Sequence, residues 1–268
     1  MAPPGVPGEL PKTFKSHGQK WRSTMTTVTT IREEQSHYTN RILHGDCIEA
    51  MRRMPTQSVD FILTDPPYLV NYRDRYGRTL QNDTDSDWLK PAMAAAYRVL
   101  KQNRLMVCFY GWPRADKFLD AWRSAGFRPV GHFVFRKSYT SSAKFMKCQH
   151  EQAYLLAKGR PPLPKNPLPD VQRLIYTGNT LHPTQKAVVS LVPLVRAFTL
   201  PDDLVLDPFC GSASSCAAAL LTGRNYLGVE MDKAYHAAAS LRLARIYARL
   251  ESGKVRVAAD GPRRRQHN

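Results

Sequence analysis

"DLVLDPFCGSASSCAAALLTGRNYLGVEMD", residues 203–232, decides the fold. An apolar run ends at Asp207, a turn containing Gly211 follows, "SSCAAALLTG" predicts a helix, and "NYLGVEMD" predicts a second strand ending at Glu230. Strand, sharp turn, helix and strand make a βαβ unit, the building block of a parallel sheet. At such a turn the backbone N–H groups and the helix N-terminus come close to a bound small molecule. An acid at the tip of the second strand is placed to accept hydrogen bonds from ribose hydroxyls. Only Gly211 is glycine, so the six-position dinucleotide fingerprint is absent. Taken alone, the turn also fits an ordinary tight connection.

With Glu230, the turn points to an adenosine-containing ligand without a pyrophosphate. S-adenosylmethionine (SAM) fits, with its ribose at Glu230, its methionine part over Phe209 and Gly211, and its ammonium toward Asp207.

Outward from this unit the alternation recurs. "RILHGDCIEAMRRM" predicts a short strand, a turn at Gly45-Asp46 and a helix from about Cys47. "SVDFILTD" predicts a strand stopped by Pro66 and Pro67. "SDWLKPAMAAAYRVLKQN" has helical spacing, "RLMVCFYG" reads as a buried strand, "PRADKFLDAWRSAG" as a helix closed by Gly126, and "PVGHFVFRK" as another strand. Alternating strands and helices predict an α/β fold with a mostly parallel sheet covered on both faces. "TQKAVVSLVPLVRAF" predicts a helix despite Pro193, and "KAYHAAASLRLARIYARLESG" a long helix stopped at Gly253. On that last helix Arg242, Arg245 and Arg249 share one face, which fits a solvated surface first and a protein or DNA contact second.

The expected organisation has five parts. Residues 1–40 form a flexible segment, 41–135 one half of the α/β domain, 136–180 a basic insertion on one side of the sheet, 181–253 the other half, and 254–268 a basic tail. The insertion carries eight Lys or Arg against Glu151 and Asp170, and "KGRPPLPKNPLPD" holds five prolines that forbid a regular element.

The whole chain has 268 residues, 43% of them apolar, and 39 Lys and Arg against 22 Asp and Glu, for a formal charge of +17. A core is affordable, and the charge points to a polyanionic partner, either nucleic acid or an anionic surface. No apolar stretch approaches a membrane span, and the N-terminus lacks the apolar centre of a secretory signal. The five cysteines form no CxxC pair and fit reduced thiols in the cytoplasm. Cys148 and His150 lack a second pair of ligands, so no metal is expected.

"DPPY" at 65–68 and "DPFCGSASS" at 207–215 resemble the catalytic and SAM-binding motifs of DNA amino-methyltransferases. "LHGDCIEAMRRMP" before the first and "HPTQK" at 182–186 before the second agree. Catalytic motif first and SAM motif second, with a variable region between, resembles the β group of that family, over about residues 41–250. The resemblance implies a circularly permuted, Rossmann-like SAM-dependent methyltransferase domain, with the basic insert as target-recognition region. It implies cofactor contacts from Asp46 and Cys47 near the adenine and from Glu230 and Met231 at the ribose. Thr184, Lys186 and Asp207 would lie around the methionine end, with Lys186 as the cation for its carboxylate; Asp65 and His182 would also meet the cofactor, a helix-entry hydrogen bond explaining His182 equally well, and Pro208, Phe209, Gly211, Ser212 and Ser214 would form the turn. The product would be S-adenosylhomocysteine. One position departs from the family, which commonly has glycine where this chain has Ala213; a positive φ there would cost an alanine.

An exocyclic amino group on a base is a poor nucleophile because its lone pair is delocalised. Two acceptors on its N–H groups promote the pyramidal form that attacks a methyl group. Asp65 supplies a carboxylate, Pro66 a carbonyl held rigid with Pro67, and Tyr68 a face for stacking. The base must be flipped out of the duplex. Arg73, Arg75 and Arg78 would hold phosphates around the gap, and Arg136, Lys137, Lys144 and Lys147 would contact DNA from the insert. Asp65 favours adenine-N6, and cytosine-N4 is the alternative. RNA or protein-amide substrates, and a non-enzymatic DNA-binding module on the same fold, are more distant alternatives. A homodimer and a companion restriction endonuclease are left open, and the expected location is the cytoplasm, with the nucleoid.

Overall fold

A computed structural model describes residues 38–73, 77, 82–142, 145–176, 181, 182 and 184–257. From Thr39 onward they belong to one compact unit. Its strands are β1 (Arg41–His44), β2 (Val59–Thr64), β3 (Leu100–Phe109), β4 (Arg128–Ser142), β5 (Lys147–Lys158), β6 (Val171–Leu174), β7 (Leu204–Asp207) and β8 (Asn225–Glu230). The helices are α1 (Cys47–Arg53), α2 (Leu89–Val99), α3 (Ala115–Ala125), α4 (Val188–Phe198), α5 (Ser214–Leu221) and α6 (Lys233–Glu251), with one 3-10 turn at Trp112–Arg114.

The strands form one sheet in the order β1-β8-β7-β2-β3-β5-β4-β6. Every neighbouring pair is parallel except β3–β5 and β5–β4, so β5 alone runs backward. Helices α1 to α3 pack on one another, as do α4 to α6. The central strands carry no alternation, because both faces are covered: every residue of β2 and of β7 is buried.

This order places the site. From β7 the chain passes through α5 to β8 on one side, while from β2 it passes through α2 to β3 on the other. The carboxyl ends of β2 and β7 therefore flank the point where the winding reverses, the place where open α/β sheets leave a crevice. "DPPY" leaves β2 there, and "DPFCGSASS" leaves β7 beside it. Thr64 Oγ1 donates to Asp207 Oδ1 at 2.9 Å and ties the two strand ends together.

The region 136–180 differs from its expectation. Residues to 142 continue β4, and 147–158 form β5, paired on both sides within the sheet. Phe133, Phe135 and Ala153 sit in the main apolar core, so this hairpin is part of the fold and not an addition to its side. The dense Lys and Arg hid an ordinary strand pattern in "EQAYLLAK". The proline-rich stretch after β5 is irregular, as expected of its prolines, and short β6 follows it. Helix α4 begins at Val188, so Thr184 and Lys186 lie in the approach to it. Of the expected N-terminal segment, residues 1–37 lie outside the described residues, as do 258–268 of the tail. Among the described residues no helix is long and apolar enough to cross a membrane, and no cluster of His, Cys, Asp or Glu could hold a metal.

Candidate active site

Two clefts meet at Tyr68, Val70, Tyr72 and Thr184, which line both. The first encloses about 1040 Å³, part of it open to solvent, and the second about 1280 Å³. The first gathers Asp46, Cys47, Asp65, Pro66, Pro67, His182, Pro208, Phe209, Gly211, Glu230 and Met231 from five places in the sequence.

Local chemistry fixes these walls. Asp46 caps α1, its Oδ1 accepting from Ile48 N at 2.8 Å and Glu49 N at 3.0 Å. Glu230 Oε2 accepts from Gly211 N at 2.8 Å and its Oε1 from Asp232 N at 2.8 Å, so the acid is locked onto the turn. Burial raises the Glu230 carboxyl, and these N–H groups pull it back. Burial pushes the Cys47 thiol up to about 12, which makes it a packing group and not a nucleophile. The His182 ring stacks edge-on against Tyr235 at 4.4 Å, and a Cβ on Gly211 would sit 3.3 Å from it. Trp88 packs on Phe209 with ring centroids 5.1 Å apart and planes inclined at 60°, which gives the cleft an apolar aromatic corner.

The charge of the first cleft is informative. Its described lining carries Asp46, Asp65, Asp83, Glu230 and Asp232 and no Lys or Arg, in a chain whose net charge is +17. Such a lining repels a phosphate and suits a small cationic ligand with an apolar ring and hydroxyls to be hydrogen-bonded. SAM, with a sulfonium and an ammonium, fits that donor and acceptor set.

Four expected cofactor residues lie elsewhere. Ser212 and Ser214 are buried beneath α6, where Arg242 Nη1 donates to Ser212 O at 2.6 Å and Ser214 Oγ at 3.1 Å. Arg242 is thus a clamp on the turn, not a solvated surface residue. Asp207 is buried behind the strand ends; burial pushes its carboxyl up to about 7 against the hydrogen bonds from Ser215, Thr64 and Phe209 N. Lys186 lines the second cleft and not the first. Its Nζ donates to Asp65 Oδ2 at 2.5 Å and lies 2.9 Å from Glu151 Oε2. The two carboxylates occupy the cation expected at the SAM carboxylate.

Ala213 does adopt the left-handed backbone, with φ 60° and ψ 38°, at the N-cap of α5. The strain of about 1–2 kcal/mol is offset by burying its methyl, worth about 0.8 kcal/mol, and by glycine's entropic penalty of about 0.5–1 kcal/mol. Ala213→Gly therefore changes stability by less than about 1 kcal/mol in urea unfolding, whereas Ala213→Val, β-branched at positive φ in a full core, loses more than about 2 kcal/mol.

The second cleft is aromatic and mixed in charge, lined by Tyr68, Tyr110, Trp112, Tyr139, Tyr176, Lys137, His150, Glu151 and Lys186. Tyr68 OH donates to Asp65 Oδ1 at 2.5 Å. The chain beyond Tyr68 is strained, with φ 61° at Leu69 and 53° at Asn71. Buried Asp83 holds it there: its carboxylate accepts from Val70 N at 3.3 Å and Tyr72 N at 2.5 Å, while Arg114 Nε donates to Leu69 O at 3.1 Å. Asp83, Trp88, Glu151 and Arg242 were missed in the sequence. The three acids of "NDTDSD" in so basic a chain were the available signal for Asp83.

Of the expected DNA contacts, Lys137 lines the second cleft, and Arg73 and Lys147 are exposed. Arg136, next to Lys137 on β4, projects from the opposite face of the strand. Arg75, Arg78 and Lys144 lie outside the described residues.

A family profile described as DNA methylase, N6_N4_Mtase, matches residues 59–241. The chain belongs to this family of SAM-dependent DNA methyltransferases. It is 54% identical over 214 residues to YubD of Escherichia coli (strain K12), a provisionally named methylase, covering 80% of this chain and 94% of YubD. It is 28% identical over 260 residues to the DNA adenine methyltransferase YhdJ of Escherichia coli (strain K12), covering 82% and 88%. Two solved structures share the fold. The M1.HpyAVI–SAM complex has a TM-score of 0.60 at 24% identity, covering 76% of this chain and 98% of that one. The cytosine-N4-specific PvuII DNA methyltransferase has a TM-score of 0.63 at 18% identity, covering 81% and 93%.

Proposed function

We propose that this chain methylates the N6 amino group of an adenine flipped out of duplex DNA. The observation that carries the reading is the junction of the two clefts at "DPPY". Asp65 and Tyr68 stand between an acidic cleft suited to a cationic cofactor and an aromatic cleft suited to a base.

When bound, SAM supplies an electrophilic methyl group. Glu230 holds the ribose, Phe209 and Trp88 flank the adenine of the cofactor, and the carboxylates around the cleft offset its positive charge. On the other side Tyr68, Tyr139 and Tyr176 offer faces for the target base. Asp65 and the Pro66 carbonyl accept the two N–H bonds of the amino group. A nitrogen–carbon bond forms as the carbon–sulfur bond breaks, and the displaced amino proton passes to the Asp65 carboxylate.

Lys137 beside the base cleft and Lys147 at the tip of the β4–β5 hairpin supply phosphate contacts. Phe145 and Met146, exposed at that tip, suit insertion into a base stack. Asp at the first position of the motif, with the likeness to YhdJ, favours adenine over cytosine. The test is chemical. Duplex DNA treated with the protein and SAM, digested to nucleosides and resolved by mass spectrometry, is expected to contain N6-methyladenine; N4-methylcytosine in its place overturns the adenine assignment.

A further inference from the structure

Lys186 stands 121 residues from Asp65 in sequence, yet its ammonium bridges Asp65 and Glu151 at the join of the two clefts. It is 7% exposed, and its charge also lies 4.8 Å from the Phe109 ring centre and 5.8 Å from that of Tyr68. Glu151 Oε2 contacts it as an ion pair outside hydrogen-bond angles, and this buried oxygen makes no hydrogen bond. One cation therefore serves two carboxylates, and its position depends on both.

We propose that Lys186 and Glu151 are positioning residues that set the charge of Asp65: Lys186 keeps the largely buried catalytic carboxylate ionised, and Glu151 holds Lys186 against it. This deepens the methyl-transfer reading and rests on it for the role of Asp65. Transfer needs an ionised Asp65, since a protonated carboxyl cannot accept the amino proton. Burial raises the Asp65 carboxyl, Lys186 lowers it, Glu151 raises it, and the Tyr68 hydroxyl lowers it. Burial works against the charge of Lys186, but Asp65 and Glu151 outweigh it and hold the ammonium above its ordinary range. The other titratable groups around the cluster are Cys108 on β3 and Asp207 on β7, which face Asp65, and Tyr139 on β4, which faces Glu151 and Lys186.

The two variants then act in opposite directions on the pH dependence of single-turnover methyl transfer. Lys186→Met moves the acid limb up by about one pH unit or more, because Asp65 loses its cation. Glu151→Gln moves it down, because a neighbouring negative charge is gone while the amide oxygen still accepts from Lys186 and keeps the ammonium in place. Lys186→Arg restores most of the wild-type profile. Limbs that stay in place in both variants, or move the same way, overturn the proposal.

A second measurement needs neither DNA nor SAM. Lys186→Met lowers the melting temperature at pH values where Asp65 is charged, and adding Asp65→Asn restores much of the loss. A double variant no more stable than Lys186→Met overturns the coupling. If the coupling holds and no methyl is transferred to any DNA, the methyl-transfer reading fails and the charge cluster stands.

Discussion

Asp65→Ala is expected to cut transfer of labelled methyl from SAM to duplex DNA by about a thousandfold or more. Two effects add. The amino group loses the acceptor that promotes its pyramidal form, and the proton loses its destination; groups with either role are typically worth about 10²–10⁴ in rate. Removing Asp65 also frees Lys186 from one of its two partners, leaving the ammonium on Glu151. The protein remains folded, because the buried charge keeps a counterion and the alanine leaves space beside an open cleft. Binding of SAM, followed by calorimetry, changes far less than turnover, since the remaining acids of the first cleft are untouched. Full activity in Asp65→Ala contradicts the mechanism.

Gly111→Ala is expected to be the next most damaging change, although no charge or hydrogen bond is involved. Its backbone is ordinary, with φ −84°, so any residue could adopt it. Space is the constraint. A Cβ there would lie 2.7 Å from Tyr68 Cβ, closer than real atoms approach, and a tight 3.3 Å from Tyr68 O, and Tyr68 Cβ is not the free end of a flexible chain. The backbone of "DPPY" must move, at a cost of about 1–3 kcal/mol in stability. A displacement of about 1 Å at reacting groups costs about a hundredfold in rate. Because Gly111 lines the second cleft and not the first, kcat falls while SAM affinity holds. Equal loss of both would mean the clash spreads through the fold and not to Tyr68.

These two residues illustrate what sequence could and could not reveal. Asp65 was legible, because an acid at the end of an apolar strand, fixed by two prolines, is a local arrangement. The βαβ unit at 203–232 was legible for the same reason, and with it the mostly parallel sheet, whereas the meeting of the two motifs at adjacent strand ends came from the strand order. Ala213 drew notice only through the resemblance, as an alanine where the family commonly has glycine; its positive φ came from the structure. Gly111 was not legible, because its constraint comes from Tyr68, a residue on another strand's end. The destination of Lys186 was equally hidden. Its motif suggests a cofactor contact, but the choice between a ligand carboxylate and two protein carboxylates is made by where β2 ends and how β5 is registered in the sheet. The same blindness affected β5, whose strand pattern lay under a density of lysines that reads as surface, and Arg242, whose helix face suggests solvent and meets the buried turn instead.

Single-molecule sequencing of DNA from a methylation-deficient host expressing this protein tests the central claim most directly. The account predicts N6-methyladenine at a defined sequence, present with the wild-type chain and lost with Asp65→Ala. DNA that carries no modified base, or modification that persists in Asp65→Ala, contradicts it.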